Sequence, residues 1–205
     1  MDTSANFPQQ TLSFKFNVKE TNSQPCETII LAILGHVSAR PLDTLLRCNK
    51  QGVLTRDPLT LCWTAGLNLE GRNKEDHIHL HIQPTNGTFS IAANASRERN
   101  KCPILRQCKI SMKHSYAQDA YAAKHHLAYP YKEGRPIELD YPLSVELYPF
   151  DELLTIGTAL YEQEYAMLKR KARLEAKQAT LLKSVEQMIV DAGFEEGNQF
   201  PRPRS

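Results

Sequence analysis

The chain has no long apolar run, and its opening, MDTSANFPQQ, lacks the basic and hydrophobic parts of a secretory signal, so neither a membrane partner nor export is expected. Its five cysteines, Cys26, Cys48, Cys62, Cys102 and Cys108, include no CxxC pair and leave one over. That spacing argues against a zinc knuckle and for reduced thiols inside a cell rather than a disulfide framework. No glycine-rich loop leads from a strand into a helix, so a nucleotide-driven motor has no phosphate cradle here. An excess of one charge is missing too, with 25 Lys and Arg against 23 Asp and Glu. This balance neither requires nor excludes nucleic acid, because a local basic patch is enough to attract phosphate. Two stretches could form one, RERNKCPILRQCKISMK from Arg97 to Lys113 and KRKARLEAK from Lys169 to Lys177. Each reads equally well as a solvated loop or helix face.

What is present is enough to build a core: 205 residues, 41% of them hydrophobic, suit one domain with an appendage. TLSFKFNV (11–18) alternates as a strand with Leu12, Phe14 and Phe16 on one face. CETIILAILGHV reads as a helix and PLDTLLRCNKQG, from Pro41, as a second one closed by Gly52. LTLCWTAGLNLE (59–70) and HIHLHI, joined by the polar turn GRNKED, form a predicted antiparallel hairpin. GTFSIAA is a candidate short strand, and a helical region is expected from about Ser115 to His126, interrupted at YPYKEG by Pro130 and Gly134. The prolines of IELDYPLSVELY favour an edge or a loop. The expected fold class is α+β, an antiparallel sheet of about five strands with covering helices, followed by a long C-terminal helix. The expected organisation is one main domain over 1–150, the long helix over 151–192, and a flexible tail over 193–205. Leu153, Leu160, Met167, Leu174, Leu181 and Met188 recur every seven residues, which makes residues 153–188 a candidate homo-oligomer seam or a helix packed on its own domain.

The densest chemistry lies in DHIHLHIQP, Asp76 to Pro84. Strand period two puts His77, His79 and His81 on one face and Ile78, Leu80 and Ile82 on the other. The apolar face joins a core, while imidazoles are costly to bury without partners and can ligate a metal or exchange protons. Across the polar turn, Glu70 is the candidate carboxylate ligand, with Glu75 and Asp76 as alternatives.

DHIHLHIQ resembles the motif of two histidines around a hydrophobic residue in HUH endonucleases, the replication initiators of small circular single-stranded DNA viruses and plasmids. YPYKEG resembles that family's tyrosine-x-x-lysine motif, and LSFKFNV loosely resembles its opening motif. The resemblance implies Mg²⁺ or Mn²⁺ held by Glu70, His77 and His79, with His81 as a further candidate ligand. It implies Tyr129 as the nucleophile that becomes joined to the 5′ end of a cut strand, and Lys132 as the residue that steadies phosphate. Tyr121 and Lys124, in YAAK, repeat the spacing and are the rival pair. The implied substrate is single-stranded DNA or an origin hairpin, with a separate helicase as partner, inside a prokaryotic cell or the nucleus of a virus host. HIHLHIQP also resembles the histidine triad nucleotide hydrolases and transferases, where His79 would attack an α-phosphate with His77 and His81 in support. A third, non-enzymatic reading makes the chain a nucleic-acid-binding coiled-coil protein with Tyr116, Tyr121, Tyr129 and Tyr131 as stacking candidates.

Overall fold

Four strands pair in the order β4-β5-β1-β6, every neighbouring pair antiparallel, in a computed structural model that describes residues 8, 10–38, 47–48, 54–55, 58–70, 75–89 and 102–191. The strands are β1 (Gln10–Asn17), β4 (Leu61–Glu70), β5 (Glu75–Pro84) and β6 (Ser111–Tyr116), while β2 (Arg47–Cys48) and β3 (Leu54–Thr55) form a separate pair. The helices are α1 (Cys26–Ser38), α2 (Pro103–Gln107), α3 (Ala120–Ala128) and α4 (Phe150–Asp191). The architecture is α+β, as the pattern of elements predicts, with four main strands among the described residues where about five were expected.

Alternation decides which face is the core. Leu12, Phe14 and Phe16 of β1 and Ile78, Leu80 and Ile82 of β5 are buried on one side, where Ile29, Ile30 and Ile33 of α1 and Leu105 of α2 join them. The register Phe14↔Leu80 and Phe16↔Ile78 stacks these side chains in cross-strand rows. The opposite face, which carries the histidines, receives α3 instead, packed on β1, β4 and β5. The outer edge of β4 is covered by the proline-containing stretch after α3, through Leu67 N to Arg135 O at 2.9 Å, Ile137 N to Ala65 O at 2.8 Å and Leu61 N to Leu143 O at 2.8 Å. This is the edge role its prolines favoured.

Three local expectations change. Arg47 and Cys48, assigned to the helix from Pro41, are β2, paired with Leu54–Thr55; the rest of that stretch lies outside the described residues. Ser115 and Tyr116 are the end of β6 and not the start of a helix, which begins at Ala120. SMKHSY has weak strand propensity, and its pairing with β1 overrides that preference. Of GTFSIAA, Gly87 to Phe89 form no regular strand and the remainder lies outside the described residues.

The chain divides into two compact units, Met1–Tyr161 and Glu162–Ser205. In the first, Leu153 and Gly157 of α4 are buried, and a Cβ on Gly157 would stand 2.5 Å from Ala128 O, so only glycine permits that approach. In the second, Met167, Leu174, Leu181 and Met188 of the seven-residue row are exposed. Residues 192–205, which include the expected tail, lie outside the described residues. No described helix is long and apolar enough to cross a membrane.

Candidate active site

The polar face of the sheet is laid out by register. His77, His79 and His81 of β5 stand opposite Asn68, Gly66 and Thr64 of β4, and opposite Asn17, Lys15 and Ser13 of β1. Over this face runs α3, started by Asp119, whose carboxylate accepts Ala122 N–H at 2.7 Å. Pro130 has no N–H with which to continue the helix. The chain tightens into a 3₁₀ turn, Tyr129–Tyr131, and Gly134, at φ 64°, closes it by donating its N–H to Tyr131 O at 2.8 Å.

That tightening assembles the tyrosine-lysine pair. Side chains three apart eclipse in a 3₁₀ turn, and Lys132 Nζ donates to Tyr129 Oη at 3.1 Å while lying 4.7 Å from the ring centroid. Tyr129 meets two histidines, His79 edge-on at 5.5 Å between centroids and His81 stacked at 5.6 Å with 5° between the planes. His79, His81 and Lys132 are buried. Glu133 ties the turn to β4 by accepting Leu69 N–H at 2.9 Å.

Four sheet side chains donate to backbone carbonyls of α3 and its turn. Gln83 Nε2 reaches Ala123 O at 2.7 Å, His81 Nδ1–H reaches His126 O, Thr64 Oγ1 reaches Leu127 O at 2.5 Å and Asn68 Nδ2 reaches Pro130 O at 3.1 Å. Gly66 sits among them because a Cβ there would lie 1.9 Å from Pro130 O. None of Asn68, Thr64, Gln83 and Gly66 is an expected site residue from sequence. For Thr64, Gly66 and Asn68 the signal was present as polar or small residues at every second position of CWTAGLN, facing the histidine row, and for Gln83 as the next position of the same period-two row after His81.

The rival pair is engaged elsewhere. Tyr121 is 71% exposed and its ring lies against His125 at 3.7 Å between centroids. Lys124 pairs with Glu152 at 2.7 Å and lies over the Tyr148 ring. The alternative acids are also partnered: Glu75 accepts from Asn17 Nδ2 at 2.8 Å and Asp76 from Arg135 at 3.1 Å. Glu70 closes the hairpin opposite Glu75, and its side chain lies outside the described residues.

The divalent metal implied by the resemblance can be tested against the atoms present. His77 Nδ1–H donates to Glu75 O at 2.8 Å, which fixes the tautomer and leaves the Nε2 lone pair as a donor to metal. Across from it, Asn68 is fully buried and its Oδ1 has no hydrogen-bond partner. An orphaned buried amide oxygen beside an oriented imidazole fits a Mg²⁺ or Mn²⁺ ligand set. Among the described residues no three His, Cys, Asp or Glu side chains form a metal-holding group.

Burial lowers the His81 pKa to about 3, so this imidazole is neutral throughout the range in which the protein would work. Burial also lowers His114 and His126. Because these groups take up protons in the unfolded chain before they do in the folded one, stability is full above pH 6.5 and falls as pH drops toward the folded values. Urea unfolding between pH 7.5 and 4.5 is expected to show a loss of about 1.4 kcal/mol per pH unit below 6 from His81 alone. An unchanged urea midpoint over that range would contradict the buried, neutral assignment.

No family model matches the chain, and neither a curated protein nor a solved structure matches it.

Proposed function

We propose that the protein is a metal-dependent, site-specific single-stranded DNA endonuclease that transfers the 5′ end of the cut strand to Tyr129, the chemistry that initiates rolling-circle replication. The observation that carries this reading is the meeting of Tyr129 and Lys132 with the histidine strand, about fifty residues earlier in the chain, at 5.5 and 5.6 Å between the rings. A phenol is a weak nucleophile near neutral pH, and the Lys132 ammonium, 3.1 Å from Tyr129 Oη, would stabilise negative charge developing on the transferring phosphate. Tyr129 Oη forms the new bond to phosphorus, the P–O3′ bond breaks, the phenol proton leaves to solvent and the departing 3′ oxygen is protonated. One phosphoester replaces another, so the bond energy is kept for rejoining. His77, His79 and Asn68 would hold Mg²⁺ or Mn²⁺, with Glu70 as the expected carboxylate. The bound ion supplies charge stabilisation at the scissile phosphate.

The surroundings suit a single strand. Along the same face His79 is followed across the sheet by Lys15 and Ser111, and His81 by Ser13 and Lys113. Ammonium groups and hydroxyls in rows beside the nucleophile match a phosphodiester backbone. The exposed Tyr121 ring, lying against the half-buried His125, offers a plane for a base.

With Mn²⁺ and a panel of single-stranded DNAs, the expected products are a 3′ hydroxyl end and a protein joined to the 5′ end, both lost with chelator and restored by metal. Metal-independent hydrolysis of a nucleoside phosphoramidate, with a nucleotide on His79, would replace this reading with the histidine triad one.

The exposed row Met167, Leu174, Leu181 and Met188 is one apolar position of an imperfect heptad, in which Val185 and several polar residues fill the intermediate positions, and it is the face a partner helix would cover. We assign it to self-association of the chain, with a separate helicase as a further partner in replication. Light scattering is expected to give at least twice the chain mass for the full protein and a single-chain mass for one ending after Tyr161. A monomer in both would refute the assignment.

A further inference from the structure

We infer that His81 is a positioning residue for Tyr129, required because Pro130 leaves a helix carbonyl without its donor, and that it is not a metal ligand. In α3 each carbonyl accepts from the N–H four residues on; Tyr129 N–H, for example, goes to His125 O. The donor due at His126 O is the N–H of residue 130, which proline lacks. His81 Nδ1–H fills that vacancy from the facing strand. A buried carbonyl left bare is costly, so proline and histidine form one unit although they are far apart in sequence.

The consequence falls on the tyrosine. With Nδ1–H committed to His126 O, the imidazole plane is set, and Tyr129 stacks on it with 5° between the rings. Gln83 and Thr64 add bonds to Ala123 O and Leu127 O on either side, which sets the helix register along the sheet. His77 differs, because its Nδ1–H goes to Glu75 O on its own strand and it stands opposite the orphaned Asn68 oxygen. The histidine row therefore divides, with His77 toward the metal ligands and His81 toward the helix.

The effect on rate rests on the tyrosine reading proposed above, whereas the coupling to Pro130 does not, and the test keeps them apart. His81→Phe retains a ring but no donor. It is expected to slow single-turnover adduct formation about 100-fold at saturating DNA, the order of loss from misplacing a reacting group by about an ångström, with the Mn²⁺ requirement unchanged. His81→Asn, whose amide N–H stands near the lost Nδ1–H, is expected to recover most of the rate, and His81→Gln much less. In a Pro130→Ala background, where residue 130 regains its N–H, the penalty of His81→Phe is expected to shrink to tenfold or less. The urea midpoint should follow the same cycle, the drop caused by His81→Phe being at least halved when Pro130 is replaced.

A Mn²⁺ requirement raised tenfold or more by His81→Phe, with the rate rescued by excess metal or with Gln outperforming Asn, would make His81 a ligand and overturn the inference. Equal midpoint drops in both backgrounds would overturn it as well. If the wild-type protein forms no adduct on any DNA, the nuclease reading fails, and the midpoint cycle alone decides the coupling of His81 to Pro130.

Discussion

Tyr129→Phe is expected to abolish the protein–DNA adduct while DNA binding in chelator stays within about twofold of wild type. Only the hydroxyl is removed; the ring that packs edge-on to His79 and flat on His81 remains. Loss of a covalent nucleophile typically costs orders of magnitude, here at least about a thousandfold. Lys132 would lose its 3.1 Å bond to Oη and keep its place over the ring. Peptide mapping of the wild-type adduct by mass spectrometry is expected to find nucleotide on Tyr129. Nucleotide on Tyr121 would retain the chemistry and move the site, and that would require Tyr121 to leave its exposed position against His125. Cleavage that persists without an adduct in both Tyr129→Phe and Tyr121→Phe would leave water as the nucleophile and remove the strand-transfer mechanism.

The second large effect is expected at a residue with no chemistry of its own. Gly66→Ala places a methyl group 1.9 Å from Pro130 O and 2.7 Å from Pro130 C, where backbone and not a pliable side chain is in the way. Either β4 or the tyrosine turn must retreat by about an ångström, and a displacement of that order costs roughly 100-fold in rate. Urea unfolding is expected to register about 1–3 kcal/mol of destabilisation, as overpacking usually does. The Asn68 bond to Pro130 O, at 3.1 Å, would stretch with it. Wild-type adduct rates in Gly66→Ala would mean that the turn can shift without moving Tyr129, and would refute the close packing of turn on sheet as the device that places the nucleophile.

The chain's own pattern determined what depends on neighbours in sequence. Period two in LSFKFNV and HIHLHI already separates a core face from a histidine face, since successive strand side chains point to opposite sides whatever the strand packs against. The polar turn made the β4–β5 hairpin legible, and the long helix was legible from its spacing, because both are local. So was the pairing of Tyr129 with Lys132, three residues apart. What proline would do to that pair was not legible, because Pro130 could equally break a helix or tighten it to a 3₁₀ turn.

Tertiary structure alone decided which of two equivalent motifs meets the histidines. YAAK and YPYK have the same spacing, yet only the second lies over His79 and His81, because Asn68, Thr64, His81 and Gln83 grip carbonyls between Ala123 and Pro130. Those bonds link residues 40 to 63 positions apart, and although Pro130 marks His126 O as lacking its helical donor, nothing local says which side chain supplies another. The strand SMKHSY was hidden for the same reason: its pairing partner is β1, about a hundred residues earlier, so its conformation is set by the hydrogen bonds that β1 offers and not by its own composition. Likewise the glycine at 66 reads as a weak point in a strand until the Pro130 carbonyl is brought against it.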